Sequence, residues 1–444
     1  MGQHQPEVVN IKPQRFILMT VIAALLLMVV GLRPTQADPL GDVRVGIGIK
    51  QSTLRISGSG AYQIINSRTG GVVLSSGGGN APDMTLSNGA IKVAGIGTFS
   101  GPLVVRPASE SGRLWFSGRA YRGWFEVHAS SGGLTLVNVL PLEHYLYGVV
   151  PREMPADFPA EALKVQAVAA RTYAVYSLNN RKYTGEPYDL LATVSSQVYG
   201  GATSEDWRTN AAVDATRGEI LVYGGAAIPA FFHSTSGGHT ENVGTIWSGN
   251  QPYLVGKPDY DQDSPHYAWI VNLSISETEQ KLAQAGFDIG RLQDIVPGEA
   301  GVSGRLKTIT VVGDRASFSM KGEEFRFALG LKSSSIRVTV SQGGVVEAVT
   351  PVEGAIILAA TSTGTRVNRN ENLYVIGAGS QPQVVSGLMA VARRSVTPGV
   401  NIEGNGWGHG VGMSQWGARG LALLGHNYRE ILAYYYEGVE LITR

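Results

Sequence analysis

The chain contains no cysteine among its 444 residues. Without thiols it cannot form a disulfide, hold an iron–sulfur cluster, bind zinc through thiolates or use a cysteine nucleophile. The absence does not identify the compartment, because exported bacterial proteins often lack cysteine.

An excess of charge of either sign is also lacking. The 36 Lys and Arg residues nearly balance the 35 Asp and Glu residues. Proteins that bind nucleic acid neutralise phosphates with a basic excess, so the composition predicts no nucleic-acid partner.

Long apolar runs are lacking after residue 32, but one precedes it. Residues 16–32 are nearly uninterrupted in their apolar character, with Lys12 and Arg15 before them and Ala37 after them. A basic flank, an apolar run and a small residue are typical of a secretory signal. Because the run is long for a cleaved signal and short for a membrane span, two alternatives remain. Either the chain is cleaved after Ala37 or the run is retained as a membrane anchor. In both cases we expect an exported protein in the periplasm, in the cell wall or on the outer face of the cytoplasmic membrane.

Glycine, by contrast, is abundant, with 58 residues. This is roughly twice the average usage of about 7%, and the glycines follow no period, which predicts many turns between short strands. Proline at position 159 and Glu161 start an alanine-rich helix that continues through residues 162–178. The capping-box patterns Ser276-x-x-Glu279 and Asn427-x-x-Glu430 predict two further helix starts. We therefore predict an α+β fold, mostly β with short strands, a long alanine-rich helix and two C-terminal helices.

The changes in pattern along the chain suggest five segments. They are a signal peptide or membrane anchor (1–37), an N-terminal β-rich region (38–118), a catalytic core (119–340), a β-rich insertion (341–400) and a glycine-rich loop with helices that completes the core (401–444).

Glu153 is the first candidate for chemistry. It lies between Pro151 and Pro155, which stiffen the backbone and remove donors, and beside the apolar Met154. Partial desolvation raises the pKa of a carboxyl, as a general acid requires near neutral pH. The alternative is a surface glutamate in a turn, or a glutamate paired with Arg152.

The segment 195–201 contains Gln197 and Tyr199, which are suited to hydrogen bonding and stacking on a sugar. The alternative is a polar strand end followed by a glycine turn.

The segment 231–241 runs from two phenylalanines into a His-Ser-Thr-Ser-Gly-Gly sequence. It lacks the G-x-S-x-G pattern of a nucleophile elbow, which argues against a serine hydrolase of that kind. His233, His239 and Glu241 are types that ligate metals, but their spacing is loose. The alternative is a polar loop in which His233 bonds to the backbone, and we predict no metal.

The segment 404–420 has glycine at every second position from 404 to 412, which allows close approach of the backbone to a ligand. Trp407, His409, Gln415 and Trp416 would supply stacking faces and hydrogen bonds. The lysine of a phosphate-binding loop is missing. A tight structural turn with aromatic residues in the core is the alternative.

These blocks, in this order, resemble the sporulation stage II protein D family. The matching segments are 140–155, 161–173, 197–201, 233–238 and 406–418. The resemblance extends over about 120–340 and again over about 400–440. It implies an exported protein that acts on peptidoglycan.

Members of the sporulation branch are lytic transglycosylases that cleave the MurNAc–GlcNAc bond and leave a 1,6-anhydro end. Their catalytic glutamate lies in the Glu-Met-Pro motif, which makes Glu153 the catalytic residue that the resemblance implies. Some members hold zinc through cysteines before the Gln-Val-Tyr-Gly sequence, where this chain has Ser195 and Ser196. Zinc bound in that way is therefore excluded, and we expect no cofactor. The residues expected to contact the glycan are Arg152, Arg171, Gln197, Tyr199, His233, Ser234, Trp407, His409, Ser414 and Gln415.

One carboxyl is enough for this reaction, because the 6-hydroxyl of the sugar replaces water as the nucleophile. Hydrolysis would require a second carboxylate, for which Glu143, Asp157 and Asp189 are the candidates. Relatives of the amidase-enhancer type suggest an alternative, a non-catalytic glycan binder that stimulates an N-acetylmuramoyl-L-alanine amidase. A third reading is a structural wall-binding module that uses the N-terminal β region.

Overall fold

The computed structural model describes residues 40–342 and 398–444 and, between them, the backbone of four strands within 344–396. The predicted signal peptide or anchor, residues 1–37, lies outside the described residues. In the part of the chain that is described, no helix has both the length and the apolar character needed to cross a bilayer.

The architecture is α+β with more strand than helix, which confirms the predicted class. The helices of the described part are α1 (Leu142–Glu153), α2 (Ala160–Asn179), α3 (Trp207–Ala215), α4 (Val243–Ile246), α5 (Ile275–Gln284), α6 (Gly322–Leu329), α7 (Gln415–Leu423) and α8 (Tyr428–Tyr435). A short 3-10 helix, Ala202–Ser204, lies between α2 and α3.

Fourteen strands precede α1 in the described part. They are β1 (Asp42–Gln51), β2 (Thr53–Leu54), β3 (Ile56–Gly58), β4 (Tyr62–Asn66), β5 (Val72–Ser76), β6 (Gly79–Asn80), β7 (Met84–Ser87), β8 (Ala90–Val93), β9 (Gly97–Phe99), β10 (Leu103–Pro107), β11 (Leu114–Phe116), β12 (Arg119–Tyr121), β13 (Trp124–Ser130) and β14 (Gly133–Pro141). The later strands are β15 (Leu190–Leu191), β16 (Glu219–Tyr223), β17 (Ala226–Ala227), β18 (Phe232–His233), β19 (Ala268–Leu273), β20 (Leu292–Pro297), β21 (Thr308–Gly313), β22 (Ser317–Lys321), β23 (Ile336–Ser341), β24 (Gly344–Pro351), β25 (Leu373–Val375), β26 (Gln383–Val385), β27 (Met389–Val396), β28 (Gly399–Asn405), β29 (Met413–Ser414) and β30 (Glu440–Thr443).

The largest sheet has seven strands in the order β15-β1-β14-β13-β10-β4-β5. Strand β14 lies at its centre, antiparallel to both β1 and β13. Eight of its nine residues are buried, since β14 has neighbours on both edges and helix α1 also packs against it. Two four-stranded sheets, β12-β11-β3-β6 and β2-β7-β8-β9, accompany it. This scaffold sets the start of α1, which follows β14 without a loop.

Helices α1 and α2 connect the large sheet to the rest of the molecule. Fourteen of the twenty residues of α2 are buried, and its small alanine side chains let it pack closely against other elements. Proline at position 159 occupies the N-cap, and the helix begins one residue later, at Ala160. Val165 and Val168 of α2 belong to a core that also contains residues from α7 and α8. Helix α2 therefore joins the N-terminal sheet to the C-terminal segment.

Two strand pairings bring distant parts of the chain together. Strand β18 pairs in parallel with β29, so that Phe232 lies beside Met413 and His233 beside Ser414. Strand β30 at the C-terminus pairs antiparallel with β16. As a result, the segments 231–241 and 404–420 become neighbours, although about 170 residues separate them.

A second core is built by residues 268–342 and 398–405. It contains the sheets β19-β28-β23 and β20-β21-β22 with helices α5 and α6, and buries Trp269, Ile309 and Phe325. The pairing of β23 with β28 leads into the pairing of β24 with β27. Strands thus occur within the predicted 341–400 insertion, while the five-part division of the chain stays a prediction.

Candidate active-site cavity

Glu153 is the last residue of α1 and is half-buried. The flanking prolines predicted a stiffened backbone here, and the chain is helical up to Glu153, with Pro151 inside the final turn. The carboxylate oxygen Oε1 accepts a hydrogen bond of 2.7 Å from the backbone N–H of Val198. Helix α1 and the segment 195–201 together fix its position.

Burial raises the pKa of Glu153 above its ordinary value. The Val198 N–H, a hydrogen bond from the Gln415 side chain and the charge of Arg152 offset part of this effect. Desolvation therefore dominates, and the carboxyl holds its proton to a higher pH than an exposed glutamate does. This is the property that a general acid requires.

A cavity of about 340 Å³ opens beside Glu153. Its walls come from three distant parts of the chain. The lining residues are Glu153, Tyr173, Lys182, Val194, Ser195, Ser196, Val198, Phe231, Phe232, His233, Trp247, Gly408 and His409. Among these described residues Glu153 is the only acid.

Aromatic rings form one wall of the cavity. The ring of Trp247 lies 4.8 Å from that of Phe231 and 4.8 Å from that of His409, measured between centroids. Trp247 remains 37% exposed. Its partly open face is suited to stacking on the apolar face of a sugar ring.

Two histidines lie in contact at the cavity, with ring centroids 5.4 Å apart. Nδ1 of His233 lies 3.3 Å from the carbonyl oxygen of Val411, which can only accept, so Nδ1 carries the proton. Nδ1 of His409 accepts a 3.0 Å hydrogen bond from the N–H of Val411. Burial, the ring of His409 and the charge of Arg305 hold the pKa of His233 well below its ordinary value. Burial, aided by the charges of Arg326 and Arg305, lowers the pKa of His409 to about 3. Both rings are thus neutral near pH 7.

The glycines of the segment 404–420 bring this loop against its own chain. A Cβ on Gly408, whose φ is +111°, would lie 2.7 Å from Cβ of His233. A Cβ on Gly410 would overlap the guanidinium of Arg305. These glycines therefore allow close packing of the loop against the segment 231–241, while Trp407 of the same motif is 44% exposed and does not lie in the core.

The predicted site residues differ in how close they lie to the cavity. Glu153, His233 and His409 line the cavity, and Gln415 bonds to Glu153 from outside the lining. Arg152 is exposed beside Glu153. Ser234 and Trp407 are not among the lining residues, and Trp407 packs edge-on against His266 at 4.5 Å.

Four residues that we expected to contact the glycan lie in the core instead. Arg171 is 0% exposed and donates two hydrogen bonds of 2.8 Å to Glu143. Gln197 bonds to the Tyr145 hydroxyl and the Ala170 carbonyl, and the Tyr199 hydroxyl bonds to Asn138. Ser414 caps α7 by accepting from the N–H of Gly417. Their polar atoms are used within the fold, which corrects the expectation of direct glycan contact for this group.

The other acidic candidates lie away from the cavity lining. Glu143 is committed to its buried pair with Arg171, while Asp157 and Asp189 do not reach the lining. Asp189 accepts a hydrogen bond from the Arg44 N–H. The second carboxylate of a hydrolase is therefore not found in the described lining.

The residues of the segment 231–241 that are of metal-ligating type make hydrogen bonds within the fold. Glu241 accepts hydrogen bonds from Asn242, Thr245 and Ser303, and Nδ1 of His239 bonds to the carbonyl of Thr240. No cluster of three or more potential His, Asp or Glu ligands occurs in the part of the chain that the structure describes.

Several lining residues lay outside the sequence prediction. Lys182 follows α2, donates to the hydroxyl of Tyr173 at 3.0 Å and also donates to the carbonyl of Ser195. Trp247 follows the short helix α4. Neither residue belongs to a recognisable local pattern, and only the tertiary fold brings them beside Glu153.

Known proteins match this chain in sequence. The family model described as "Stage II sporulation protein" matches residues 130–223. The amidase enhancer of Bacillus subtilis is 31% identical over 384 residues, which cover 82% of this chain and 50% of that protein. The stage II sporulation proteins D of Bacillus subtilis and Bacillus amyloliquefaciens are 29% and 30% identical, over 69% of this chain and 75% of each relative. The chain thus spans only half the length of the amidase enhancer.

Proposed function

We propose that this chain, which belongs to the stage II sporulation protein D family, is a peptidoglycan lytic transglycosylase. Membership of that family supports a function related to the cell wall. It cleaves the bond between MurNAc and GlcNAc, with Glu153 as the single acid and base. The observation that carries the proposal is a glutamate with a raised pKa at a cavity with an aromatic wall. The signal-like sequence of residues 1–37 supports export to the wall.

In the first step Glu153 donates its proton to the glycosidic oxygen, and the bond from that oxygen to C1 of MurNAc breaks. The Val198 N–H donates a hydrogen bond to Oε1 of Glu153, which favours protonation of the other carboxyl oxygen, Oε2. The departing GlcNAc leaves as a neutral alcohol, and positive charge develops on the MurNAc ring.

In the second step the 6-hydroxyl of the same MurNAc attacks C1. Its proton passes to the carboxylate of Glu153, which restores the acid, and the product carries a 1,6-anhydro ring. No water is consumed. A lining with one acid in its described residues is compatible with this route, whereas hydrolysis usually employs two carboxyls.

The test is to incubate the purified protein with peptidoglycan, both intact and freed of stem peptides, and to analyse soluble products by mass spectrometry. We expect anhydro-ended fragments from the wild type and a loss of at least about a hundredfold in rate for Glu153→Gln, since general acid catalysis contributes about 10²–10⁴-fold. Glu186→Gln is a matched control, because Glu186 is exposed and outside the cavity lining. Reducing-end products without anhydro rings would contradict the mechanism.

A second candidate function is supported by the relative named amidase enhancer. In that case the protein binds glycan and stimulates a wall amidase without cleaving the strand itself. Release of stem peptides by a purified N-acetylmuramoyl-L-alanine amidase would rise on addition of the protein. Glu153→Gln would stimulate as well as the wild type, and neither would produce anhydro ends.

A further inference from the structure

His233 presents a hydrogen-bond acceptor that the described part of the fold leaves unused. The residue is 5% exposed and lines the cavity. Since Nδ1 bears the proton that faces Val411, Nε2 carries a lone pair. Nε2 is buried and has no hydrogen-bond partner among the described residues. A buried acceptor without a donor is costly, so this position favours a ligand that brings one.

The surroundings of His233 limit the chemistry of that donor. Phe231, Phe232 and Trp247 line the cavity with it, and the neutral ring of His409 contacts it. The ammonium of Lys182 belongs to the same lining. A second cation is disfavoured beside this charge, whereas a neutral donor attached to an apolar group fits both the acceptor and the rings.

We propose that His233 and the adjoining aromatic wall recognise the acetamido group of one sugar of the glycan strand. Nε2 of His233 accepts the amide N–H, and the acetyl methyl packs against Trp247 and Phe231. This inference rests on the proposed function only in taking a peptidoglycan strand as the ligand. It makes the cavity selective for N-acetylated strands over strands whose glucosamine has lost its acetyl group.

Selectivity follows from charge and from hydrogen bonding together. Removal of the acetyl group leaves an amine that is protonated near neutral pH, which places a cation beside Lys182. It also removes the methyl that the aromatic wall would bury. A sugar with a hydroxyl in place of the acetamido group keeps a neutral donor but lacks the apolar part.

The test measures binding apart from cleavage. Calorimetric titrations use the full-length protein carrying Glu153→Gln, with three tetrasaccharide probes: tetra-N-acetylchitotetraose, fully de-N-acetylated chitotetraose and cellotetraose. We expect the acetylated probe to bind at least about tenfold more tightly than the other two. His233→Phe retains a ring but no acceptor and should weaken acetylated binding about tenfold, the effect of one unmade hydrogen bond. His233→Gln restores an acceptor oxygen and should recover part of the affinity.

A second measurement keeps the inference testable if His233→Phe fails to fold. In ¹⁵N-histidine-labelled protein, the Nε2 resonance of His233 should move on addition of the acetylated probe and stay unchanged with the de-N-acetylated one. Equal affinity for the three probes, no binding of the acetylated probe, or an unmoved resonance would each overturn the inference. Failure of the proposed function is distinct, because it appears as an absence of anhydro products from the wild type, whatever the binding results.

Discussion

Replacement of Arg171 by leucine tests whether this arginine stabilises the fold or binds the glycan. The guanidinium is 0% exposed and bonds to both oxygens of Glu143, which is itself 1% exposed. It also donates to Thr216 and to the carbonyls of Val213 and Glu219. The leucine variant removes the cation from a buried carboxylate. Breaking a buried ion pair from one side costs about 3–5 kcal/mol, a large part of the roughly 5–15 kcal/mol that stabilises a folded domain.

Urea unfolding followed by circular dichroism measures this loss. We expect a clear fall in the unfolding midpoint for Arg171→Leu. The double variant Arg171→Met with Glu143→Leu should regain most of the stability, because apolar residues of similar volume often replace a buried pair without loss. Glycan binding by the folded fraction of Arg171→Leu should equal that of the wild type. An unchanged midpoint together with weakened glycan binding would refute the structural assignment and return Arg171 to the ligand site.

Three further predictions follow from the site. The cleavage rate should fall as pH rises through the raised pKa of Glu153, since the acid must be protonated. The folded state binds that proton more tightly than the unfolded chain does, so the free energy of unfolding should fall over the same pH range. Thermal unfolding of Glu153→Gln should show no such fall with pH, and its midpoint at pH 7 should not lie below that of the wild type. Trp247→Ala should weaken oligosaccharide binding about tenfold in calorimetric titrations, because an aromatic contact contributes about 0.5–1.5 kcal/mol beyond its buried area. Its unfolding midpoint should also fall, because the ring packs on Phe231 and His409, so binding is measured below that midpoint; unaltered binding would exclude the stacking wall. Asp261→Asn should lower the free energy of unfolding by about 2–3 kcal/mol in urea, since the buried carboxylate accepts hydrogen bonds from the N–H groups of Ser236, Gly237 and Gly238. An unchanged midpoint would show that these bonds do not stabilise the segment 231–241.

The fold class was predictable from the sequence because it depends on local patterns. Short alternating runs separated by glycines predicted the strands, and the alanine-rich run predicted α2. The box Asn427-x-x-Glu430 caps α8 as predicted. The box predicted at Ser276 was wrong by two residues, because Ser274 and Glu277 form the actual cap of α5. Both pairs share the same spacing, and only the fold decides between them.

The site was predictable only in part, because its walls come from distant segments. Glu153 stood out through its neighbours Pro151 and Pro155, yet it ends a helix, and its pKa is raised by burial under parts of the chain that local sequence does not reveal. Conversely, Arg171 and Tyr199 have the residue types of a sugar site, but their partners Glu143 and Asn138 lie in the core. A residue type gives its chemistry, whereas its burial is decided by tertiary packing.

The segments that carry the sequence motifs converge near Glu153, and this convergence explains why so many of their polar residues have structural roles. Arg171 ties α2 to α1 through Glu143, and α1 ends at Glu153. The segment 195–201 contributes the Val198 N–H to that carboxylate, and the segment 404–420 contributes Gln415. A carboxyl held from three segments and desolvated by them is protected from relaxing into solvent, where its pKa would return to the ordinary value. A wall-binding module gains nothing from such restraint, whereas an acid that must keep its proton until the glycosidic oxygen arrives depends on it.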